Sequence, residues 1–377
     1  MTKVLYVSKP VEPPFRDGSK NLVRALSTHL SRYDAQVLVT RGKGAPVARG
    51  GRAVEAVDVL PPKGMGYAPR LYDHVPVFVH LLREREAAIH HHFFAPNPRS
   101  SFAARLVTRL RRVPTVHTLA SAPKEDLDVR GVLFADVNVV LSRHTETRLL
   151  EAGVPGERVR RIPAFIEPPT PSGVSPAETR RALGLPLSGA LVCFPGDLEV
   201  GGGAQLLLRA LAALRREEVI VAIAHRPKTP LSKRFETDLR AMSAALGVTP
   251  RVHFVGETPR IHALLEASDV VAFPSTSLYG KTDQPLVLLE AMALGRPVIV
   301  AEGSPAEELA EEGAALAVTP APEALAHAIR QLASDEGRRR ALGERGAAAV
   351  ASRHSVEGGV RAYEGLYDEL LGSSSGG

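Results

Sequence analysis

The sequence predicts an α/β protein made of two Rossmann-like, doubly wound domains that face a cleft. Short apolar runs alternate with helical patterns along most of the chain, as in parallel sheets covered by helices. The length of 377 residues is typical of two domains. A Pro-rich stretch from Ile162 to Pro176 interrupts the alternation near the middle and has the composition of an interdomain linker.

The first half contains apolar runs that are short and rich in β-branched residues, as in strands buried on both faces. The candidate strands are Val4–Ser8, Ala35–Thr40, Ala87–His91, Thr115–Thr118 and Asn138–Ser142. The candidate helices between them are Ser19–Leu30, Ser100–Arg112 and His144–Ala152.

The alternation of apolar runs and helical patterns restarts after the Pro-rich stretch. The candidate strands are Leu191–Phe194, Val219–Ala224, Arg251–Val255, Val270–Phe273, Val298–Val300 and Ala315–Val318. The candidate helices are Ala204–Arg216, Ser232–Leu246, Arg260–Ala267, Pro285–Leu294, Pro305–Glu312 and Pro322–Ser334. We therefore predict a first domain over 1–165, a second over 166–355, a helix over 356–371 that packs back on the first domain, and a disordered tail over 372–377.

Composition narrows the class of protein. Cys193 is the one cysteine, which excludes an internal disulfide and fits a reducing, cytoplasmic compartment. The N-terminal MTKVLYVSKP resembles a first strand more than a signal peptide. Residues 1–165 hold 26 Lys and Arg against 15 Asp and Glu, a net charge of +11, and residues 166–377 have a net charge of −5. This asymmetry predicts an anionic partner for the first half, unless the charges form an ordinary solvated face.

The most informative segment is Phe273 to Ala301, in which a strand, a polar loop, a helix and a second strand follow one another. A helix N-terminus at the carboxyl end of a parallel strand binds anions well. The amides of Leu286 and Val287 would face a diphosphate, and Lys281 would pair with its oxygens. Glu290 would accept hydrogen bonds from ribose hydroxyls. The plain alternative is a capped helix with a solvated glutamate.

Two glycine-containing loops are candidate parts of the same ligand site. Gly18 and Ser19 follow the first strand, where a glycine permits close backbone approach and a serine can cap the helix. Gly196, Gly202 and Gly203 lie in GDLEVGGGA after a later strand, without matching a dinucleotide or P-loop pattern. Either loop is also compatible with a simple turn between a strand and a helix.

Three further side chains follow predicted strands. Arg226 and Lys228 come after Val219–Ala224 and would add positive charge for a diphosphate, or would be solvated. His117 ends Thr115–Thr118, where a catalytic or sugar-binding histidine is expected, although many histidines beside strands are structural.

Other classes of site are disfavoured. His90, His91 and His92 are consecutive on a strand, so their side chains alternate in direction and do not converge on a metal. We expect no metal and no cofactor. Aromatic residues make up 5% of the chain and no nucleic-acid motif is present, so nucleic acid is not an expected partner. A membrane surface or an anionic lipid-linked acceptor is the better candidate.

These motifs resemble those of the retaining glycosyltransferases of family 4, which have the GT-B fold. The most specific part runs from Gly256 to Gly313 and includes ASDVVAFPS and LLEAMALGRPVIV; PPFRDGS and VPTVHTL are looser matches. The resemblance implies a nucleotide-diphosphate sugar held by the second domain, an acceptor held by the first, retention of configuration, and no essential metal. By the same resemblance, Glu290 matches the ribose-binding glutamate, His117 a histidine near the transferred sugar, and Gly18 part of the N-terminal glycine loop.

The chain departs from the family pattern at three positions. Thr282 stands where the family has a first glutamate, Asp197 where it has an arginine, and Gly202 where it has a lysine. The two cations that usually neutralise the diphosphate are therefore replaced. Our hypothesis is that Lys281, with Arg226 or Lys228, takes over that role.

The leading functional hypothesis is a glycosyltransferase whose acceptor is a lipid, a polysaccharide or a small molecule. The alternatives are a catalytically degenerate member that binds a nucleotide sugar or partners an active transferase, and an epimerase or hydrolase of nucleotide sugars. Ser100–Arg112 reads as a basic amphipathic helix, which predicts peripheral contact with an anionic membrane or else a solvated helix packed on the sheet.

Overall fold

The computed structural model describes residues 1–13, 15, 17–42, 51–60, 74–124, 127–214, 218–227, 231–279 and 281–374. The chain divides into two compact units. The first comprises Met1–Glu167, Tyr279–Asp283 and His354–Gly377, and the second comprises Pro168–Leu278 and Gln284–Arg353. The passage from one unit to the other at Glu167 lies inside the Pro-rich stretch.

The first unit contains a seven-stranded sheet in which every pair is parallel, in the order β3-β2-β1-β4-β5-β6-β7. Its strands are β1 (Thr2–Val7), β2 (Tyr33–Thr40), β3 (Glu55–Leu60), β4 (Ala87–Phe93), β5 (Thr115–Leu119), β6 (Val137–Val140) and β7 (Val159–Arg161). The helices are α1 (Gly18–His29), α2 (Val75–Arg83), α3 (Pro98–Arg111), α4 (Val129–Val132) and α5 (Arg143–Glu151). The central strands are almost completely buried because helices cover the sheet, which explains their continuous apolar runs.

The second unit contains a six-stranded parallel sheet in the order β10-β9-β8-β11-β12-β13. Its strands are β8 (Ala190–Pro195), β9 (Val219–Ala224), β10 (Val252–Phe254), β11 (Val270–Phe273), β12 (Val298–Ala301) and β13 (Leu316–Val318). The helices are α6 (Pro176–Ala182), α7 (Gly203–Ala213), α8 (Ser232–Ala245), α9 (Ile261–Glu266), α10 (Leu286–Ala293), α11 (Pro322–Ser334) and α12 (Glu336–Arg353). The predicted fold class, two Rossmann-like parallel α/β domains, is confirmed.

The last helix, α13 (Val356–Ser374), belongs to the first unit and packs on α1. Its Tyr367 hydroxyl lies 2.6 Å from Nδ1 of His91, whose Nε2 lies 2.8 Å from the Thr118 hydroxyl. Full burial lowers the pKa of His91 well below its usual range, so the ring is neutral within this network. Glu364, also on α13, accepts hydrogen bonds from the amides of Ser31 and Arg32 at 2.6 and 2.7 Å.

Three sequence predictions about the chain's organisation need correction. The last helix, predicted to end at residue 371, continues to Ser374, and residues 375–377 of the predicted disordered tail lie outside the described residues. The predicted helix Pro305–Glu312 is a series of 3₁₀ turns over Pro305–Gly313, with a break at Glu311 and Glu312. The short segment Tyr279–Asp283, which the sequence places in the second domain, groups with the first unit.

Candidate functional site

The carboxyl edge of the second sheet has a topological switch point between β8 and β11. These strands are neighbours, but the chain leaves β8 for β9 on one side and leaves β11 for β12 on the other. Loops that diverge in this way open a crevice in which doubly wound proteins bind ligands. The Gly196–Gly203 loop follows β8, and the loop leading to α10 follows β11, so the two predicted donor segments come together here.

The glycines after β8 allow these two loops to pack directly on each other. A Cβ atom at Gly196 would lie 2.8 Å from the rings of Phe194 and Phe273, and one at Gly203 would lie 2.4 Å from the Ser275 hydroxyl. Both positions therefore require glycine for close packing. Gly202 is different, because its φ is +64° and a Cβ there would meet nothing within 4 Å. That backbone is exposed to open space at the start of α7.

The N-terminus of α10 lies in the same crevice. Pro285 is its N-cap, with an extended backbone, and its carbonyl accepts a hydrogen bond from the Leu288 amide at 2.9 Å. In the part of the chain that the structure describes, the amides of Leu286 and Val287 have no hydrogen-bond acceptor. Their N–H groups, together with the helix dipole, favour an anion at this position.

Glu290 lies one turn further along α10 and is half-buried. Its Oε2 lies 3.4 Å from Nε2 of His262 on α9, and 39% of the His262 side chain is exposed. The hydrogen bond to Glu290 raises the pKa of His262, and the nearby Glu266 acts in the same direction. The Glu290 carboxylate thus pairs with His262 at the edge of the crevice, and protonation of His262 strengthens the pair. His262 has no signal in the sequence, because the pair depends on how α9 packs against α10.

The two candidate cations that the structure describes, Arg226 and Lys281, belong to different units. Arg226 follows β9 and is half-buried, with a polar partner of its own. Lys228 lies outside the described residues. Lys281 is half-buried, belongs to the Tyr279–Asp283 segment of the first unit and has a partner of its own. The role of these residues at a diphosphate stays a prediction.

Asp283 fixes that segment to the carboxyl ends of β5 and β6. Its side chain is fully buried and accepts hydrogen bonds from the Ala122 amide at 2.9 Å and the Ser142 hydroxyl at 2.8 Å. A third bond comes from the Thr145 hydroxyl, and the Asp283 amide donates to the Ala120 carbonyl at 2.9 Å. Such a set of donors is what a buried carboxylate needs. The sequence indicated Lys281 in this segment but gave no reason to single out Asp283.

The first sheet has its own switch point, between β1 and β4, and α1 begins beside it. Ser19 does not cap this helix as predicted. Asp17 is the N-cap, and its carboxylate accepts hydrogen bonds from the amides of Ser19 and Lys20 at 3.1 and 3.4 Å and from the Ser19 hydroxyl at 2.6 Å. The Asp17 carboxylate can accept several hydrogen bonds at once, and the Ser19 hydroxyl is one of its donors. Gly18 is the first residue of α1, so a role for its backbone near a ligand stays a prediction.

His117 lies in the interior of the first unit. The side chain is fully buried, with ring centroids 4.4 Å from Phe94 and 4.8 Å from Phe134. Its Nε2 lies 3.1 Å from the Phe94 carbonyl oxygen, and no described residue pairs with Nδ1. Burial lowers the pKa of His117 to about 4, so the ring is neutral at pH 7. Contact with a sugar requires movement of the ring or of its surroundings, and the catalytic role stays a prediction.

The Glu290–His262 pair predicts a pH-dependent stability. A raised His262 pKa stabilises the folded state fully below the unfolded value of about 6.5, and this contribution is lost as pH rises through the raised value. We expect the difference in melting temperature between the wild type and His262→Gln to be largest near pH 6 and to shrink above it. The control is His327→Gln, an exposed histidine on α11. A difference that stays constant over this pH range would contradict the pair.

The described residues lack two features that other classes of protein have. Within the described ranges, no group of three or more His, Cys, Asp or Glu side chains is placed to hold a metal ion. Among the described helices, none is both long enough and apolar enough to cross a membrane.

Two family models match consecutive parts of the chain. A model described as Glycosyltransferase Family 4 matches residues 16–168, and one described as Glycosyl transferases group 1 matches residues 176–349. The D-inositol 3-phosphate glycosyltransferase of Corynebacterium urealyticum is 30% identical over 310 residues, covering 75% of this chain and 71% of that protein. The protein of the same name from Corynebacterium kroppenstedtii is 29% identical over 202 residues, so the match spans 51% of this chain and only 43% of that relative's length.

A solved structure supports the fold over the whole chain. Anabaena HepE in complex with UDP-glucose has a TM-score of 0.77, with 98% of this chain and 100% of that chain covered. The sequence identity is 18%. At this identity the likeness concerns the fold, in which both chains have the GT-B architecture.

Proposed function

Because this chain belongs to the family 4 glycosyltransferases, a family of enzymes, we propose that it transfers a sugar from a nucleotide-diphosphate sugar to an acceptor with retention. The proposal rests on the crevice of the second unit. There the N-terminus of α10 has two amides without an acceptor among the described residues, and Glu290, one turn later, pairs with His262. The UDP-glucose bound by the structurally similar HepE supports the same donor class.

The donor would be bound through its nucleoside diphosphate. The Leu286 and Val287 amides would donate to a phosphate oxygen, stabilised by the helix dipole. Glu290 would accept hydrogen bonds from ribose hydroxyls through the carboxylate oxygen that His262 does not engage. Gly202, whose Cβ position is open, would let a phosphate approach the start of α7 closely.

The transfer step needs little covalent participation by the protein. The bond between the anomeric carbon and the phosphate oxygen breaks while the acceptor oxygen bonds to the same face of that carbon. The acceptor's proton passes to the departing phosphate oxygen, so no protein base and no metal is required in the proposal. The protein contributes orientation and stabilises the charge that grows on the diphosphate.

The acceptor is proposed to be anionic. The net charge of +11 on residues 1–165 favours a phosphate-bearing acceptor near the first unit. The curated relatives are named for D-inositol 3-phosphate, which is a small polyol phosphate. That compound is therefore the first acceptor to test, followed by lipid-linked and polysaccharide acceptors.

We expect Lys281→Ala to weaken use of the donor. If Lys281 replaces a family cation, its loss removes a charge-assisted contact to the diphosphate, which lowers kcat/KM by about 10- to 100-fold. Steady-state rates with the best donor of a nucleotide-sugar panel measure this effect. Lys233→Ala, an exposed lysine on α8, is the control. Unchanged donor affinity and turnover in Lys281→Ala would exclude Lys281 from the role.

One observation favours a second function, that of a binding protein without catalysis. Asp197 and Gly202 stand where the family has cations, and Asp197 is buried rather than presented to solvent. Calorimetric titration separates the two functions: donor binding without transfer or hydrolysis supports the binding protein. Product formed from the nucleotide sugar without any acceptor would instead indicate an epimerase or hydrolase.

A further inference from the structure

The outward face of α3 is an apolar line. Phe102, Leu106 and Leu110 are 68%, 41% and 62% exposed and recur every four residues, so they lie along one face of the helix. The opposite face, with Ser101, Ala104 and Val107, is buried. The line is therefore not the core-facing side of the helix.

Exposed apolar side chains are concentrated on α3 and on the helix that packs against it. The helix α2 packs against α3 and exposes Val75 and Val79. Together the two helices hold five of the ten large apolar side chains that are exposed in the described part of the chain. Single exposed apolar residues need no explanation, but three in line along one helix indicate an interaction surface.

The arginines of α3 and its C-cap divide into two groups. Arg105 and Arg111 donate to main-chain carbonyls of Leu133 and Glu84, so they serve the fold. Arg99, Arg109 and Arg112 are exposed and have no hydrogen-bond or ion-pair partner among the described residues. They place three positive charges beside the apolar line. We call Phe102, Leu106, Leu110, Arg99, Arg109 and Arg112 the α3 face.

We propose that the α3 face docks the protein on an anionic lipid membrane. An apolar line flanked by arginines matches both layers of such a surface, with acyl chains taking up the Phe and Leu side chains and headgroup phosphates pairing with the guanidinium groups. A nucleic acid would leave the apolar line without a partner. A second copy of the same face would bring like charges together. The helix is 14 residues long, which at 1.5 Å per residue spans about 21 Å along the membrane plane.

The chain contains no tryptophan, which provides a direct reporter of docking. In Phe102→Trp the new indole lies on the α3 face, and its emission is expected to shift to shorter wavelength with vesicles of phosphatidylglycerol and phosphatidylcholine. Vesicles of phosphatidylcholine alone should give a smaller shift, and raised salt should reduce the shift with anionic vesicles. Leu187→Trp places an exposed reporter in the other unit and should not respond.

Substitutions separate the apolar and the charge contributions in a vesicle sedimentation assay. The triple variant Phe102→Ser, Leu106→Ser, Leu110→Ser should abolish binding. The triple variant Arg99→Gln, Arg109→Gln, Arg112→Gln should weaken it by about 100-fold, since each arginine near an anionic surface contributes about fivefold. The control Leu187→Ser, Leu231→Ser alters two exposed leucines elsewhere and should bind like the wild type.

Several results would overturn the proposal. Equal binding to neutral and anionic vesicles, no binding at all, or unchanged binding by both triple variants would each do so. Sedimentation velocity without lipid tests the remaining occupant: a dimer that the serine variant abolishes would assign the α3 face to a second copy of the chain. The assay does not depend on glycosyl transfer, so its outcome is independent of the proposed catalytic function.

Discussion

The variant Glu290→Gln is expected to lower kcat/KM for the nucleotide-sugar donor by about 10- to 100-fold, because hydrogen bonds to a charged group are worth about 1.5 to 3 kcal/mol. The amide keeps the shape of the side chain but loses the charge that strengthens bonds to ribose hydroxyls. Steady-state kinetics and calorimetric titration with the donor and the free nucleoside diphosphate measure the loss. The loss in affinity should appear with both ligands, since both carry the ribose.

Two controls isolate the contact with ribose. Glu323→Gln changes an exposed glutamate of α11 and should leave both constants unchanged. His262→Gln removes the partner of Glu290 but leaves the carboxylate, so it should cost less than Glu290→Gln. If His262→Gln and Glu290→Gln lowered donor affinity equally, the pair would act as a structural unit and not through a glutamate that binds ribose.

The variant Asp283→Ala is expected to destabilise the first unit by about 3 kcal/mol, because three buried donors lose their acceptor at about 1 kcal/mol each. The donors are the Ala122 amide and the hydroxyls of Ser142 and Thr145. Asp283→Asn should cost less, since its amide oxygen still accepts from Ala122 and the hydroxyls can accept from its nitrogen. Denaturant unfolding monitored by circular dichroism measures the difference.

The control for Asp283 is Asp128→Ala. Asp128 is an exposed residue of the same unit and makes no capping hydrogen bond through its side chain. Its replacement should change the free energy of unfolding by less than about 0.5 kcal/mol. Equal stability of Asp283→Ala and the wild type would mean that the hydrogen bonds to Asp283 contribute nothing to the fold.

The sequence predicts elements well where hydrophobic pattern and caps agree. The bounds of β9, β11 and α11 match the predictions, because their apolar runs are bordered by turn residues and by Pro322. The sequence does not predict six of the elements, namely β3, β7, α2, α4, α6 and α12. The strands β3 and β7 lie at the edges of the first sheet and contain charged residues, so they lack a continuous apolar run. In α12, whose sequence is EGRRRALGERGAAAVASR, glycines and arginines hide the helical pattern.

The helix α12 shows why such a pattern still folds. A Cβ at Gly343 would lie 2.0 Å from the Gly295 carbonyl, and one at Gly346 would lie 3.0 Å from the Ala314 carbonyl. Because these glycines lack a Cβ, α12 lies close to Gly295 at the end of α10 and to Ala314. The sequence of α2, VPVFVHLLR, does not predict a helix, because its apolar and β-branched residues match neither the helical nor the strand periodicity.

The candidate site was predictable only in its local features. Leu286, Val287 and Glu290 follow from a strand, a loop and a helix read along the chain. The partners of these residues do not, since the Glu290–His262 pair joins α10 to α9 and the Asp283 bonds join residues 138 to 161 positions apart. The sequence does not single out Asp17 as the cap, because Ser19 is also a common N-cap residue.

The most direct test of glycosyl transfer is an assay of nucleoside diphosphate release with a panel of nucleotide sugars, with and without D-inositol 3-phosphate and other acceptors, followed by NMR of the product. We predict release that depends on an acceptor, a product with the anomeric configuration of the donor, and loss of both in Glu290→Gln. Absence of release with every donor and acceptor, or release that Glu290→Gln leaves unchanged, would contradict the assignment of the crevice as a donor site for glycosyl transfer.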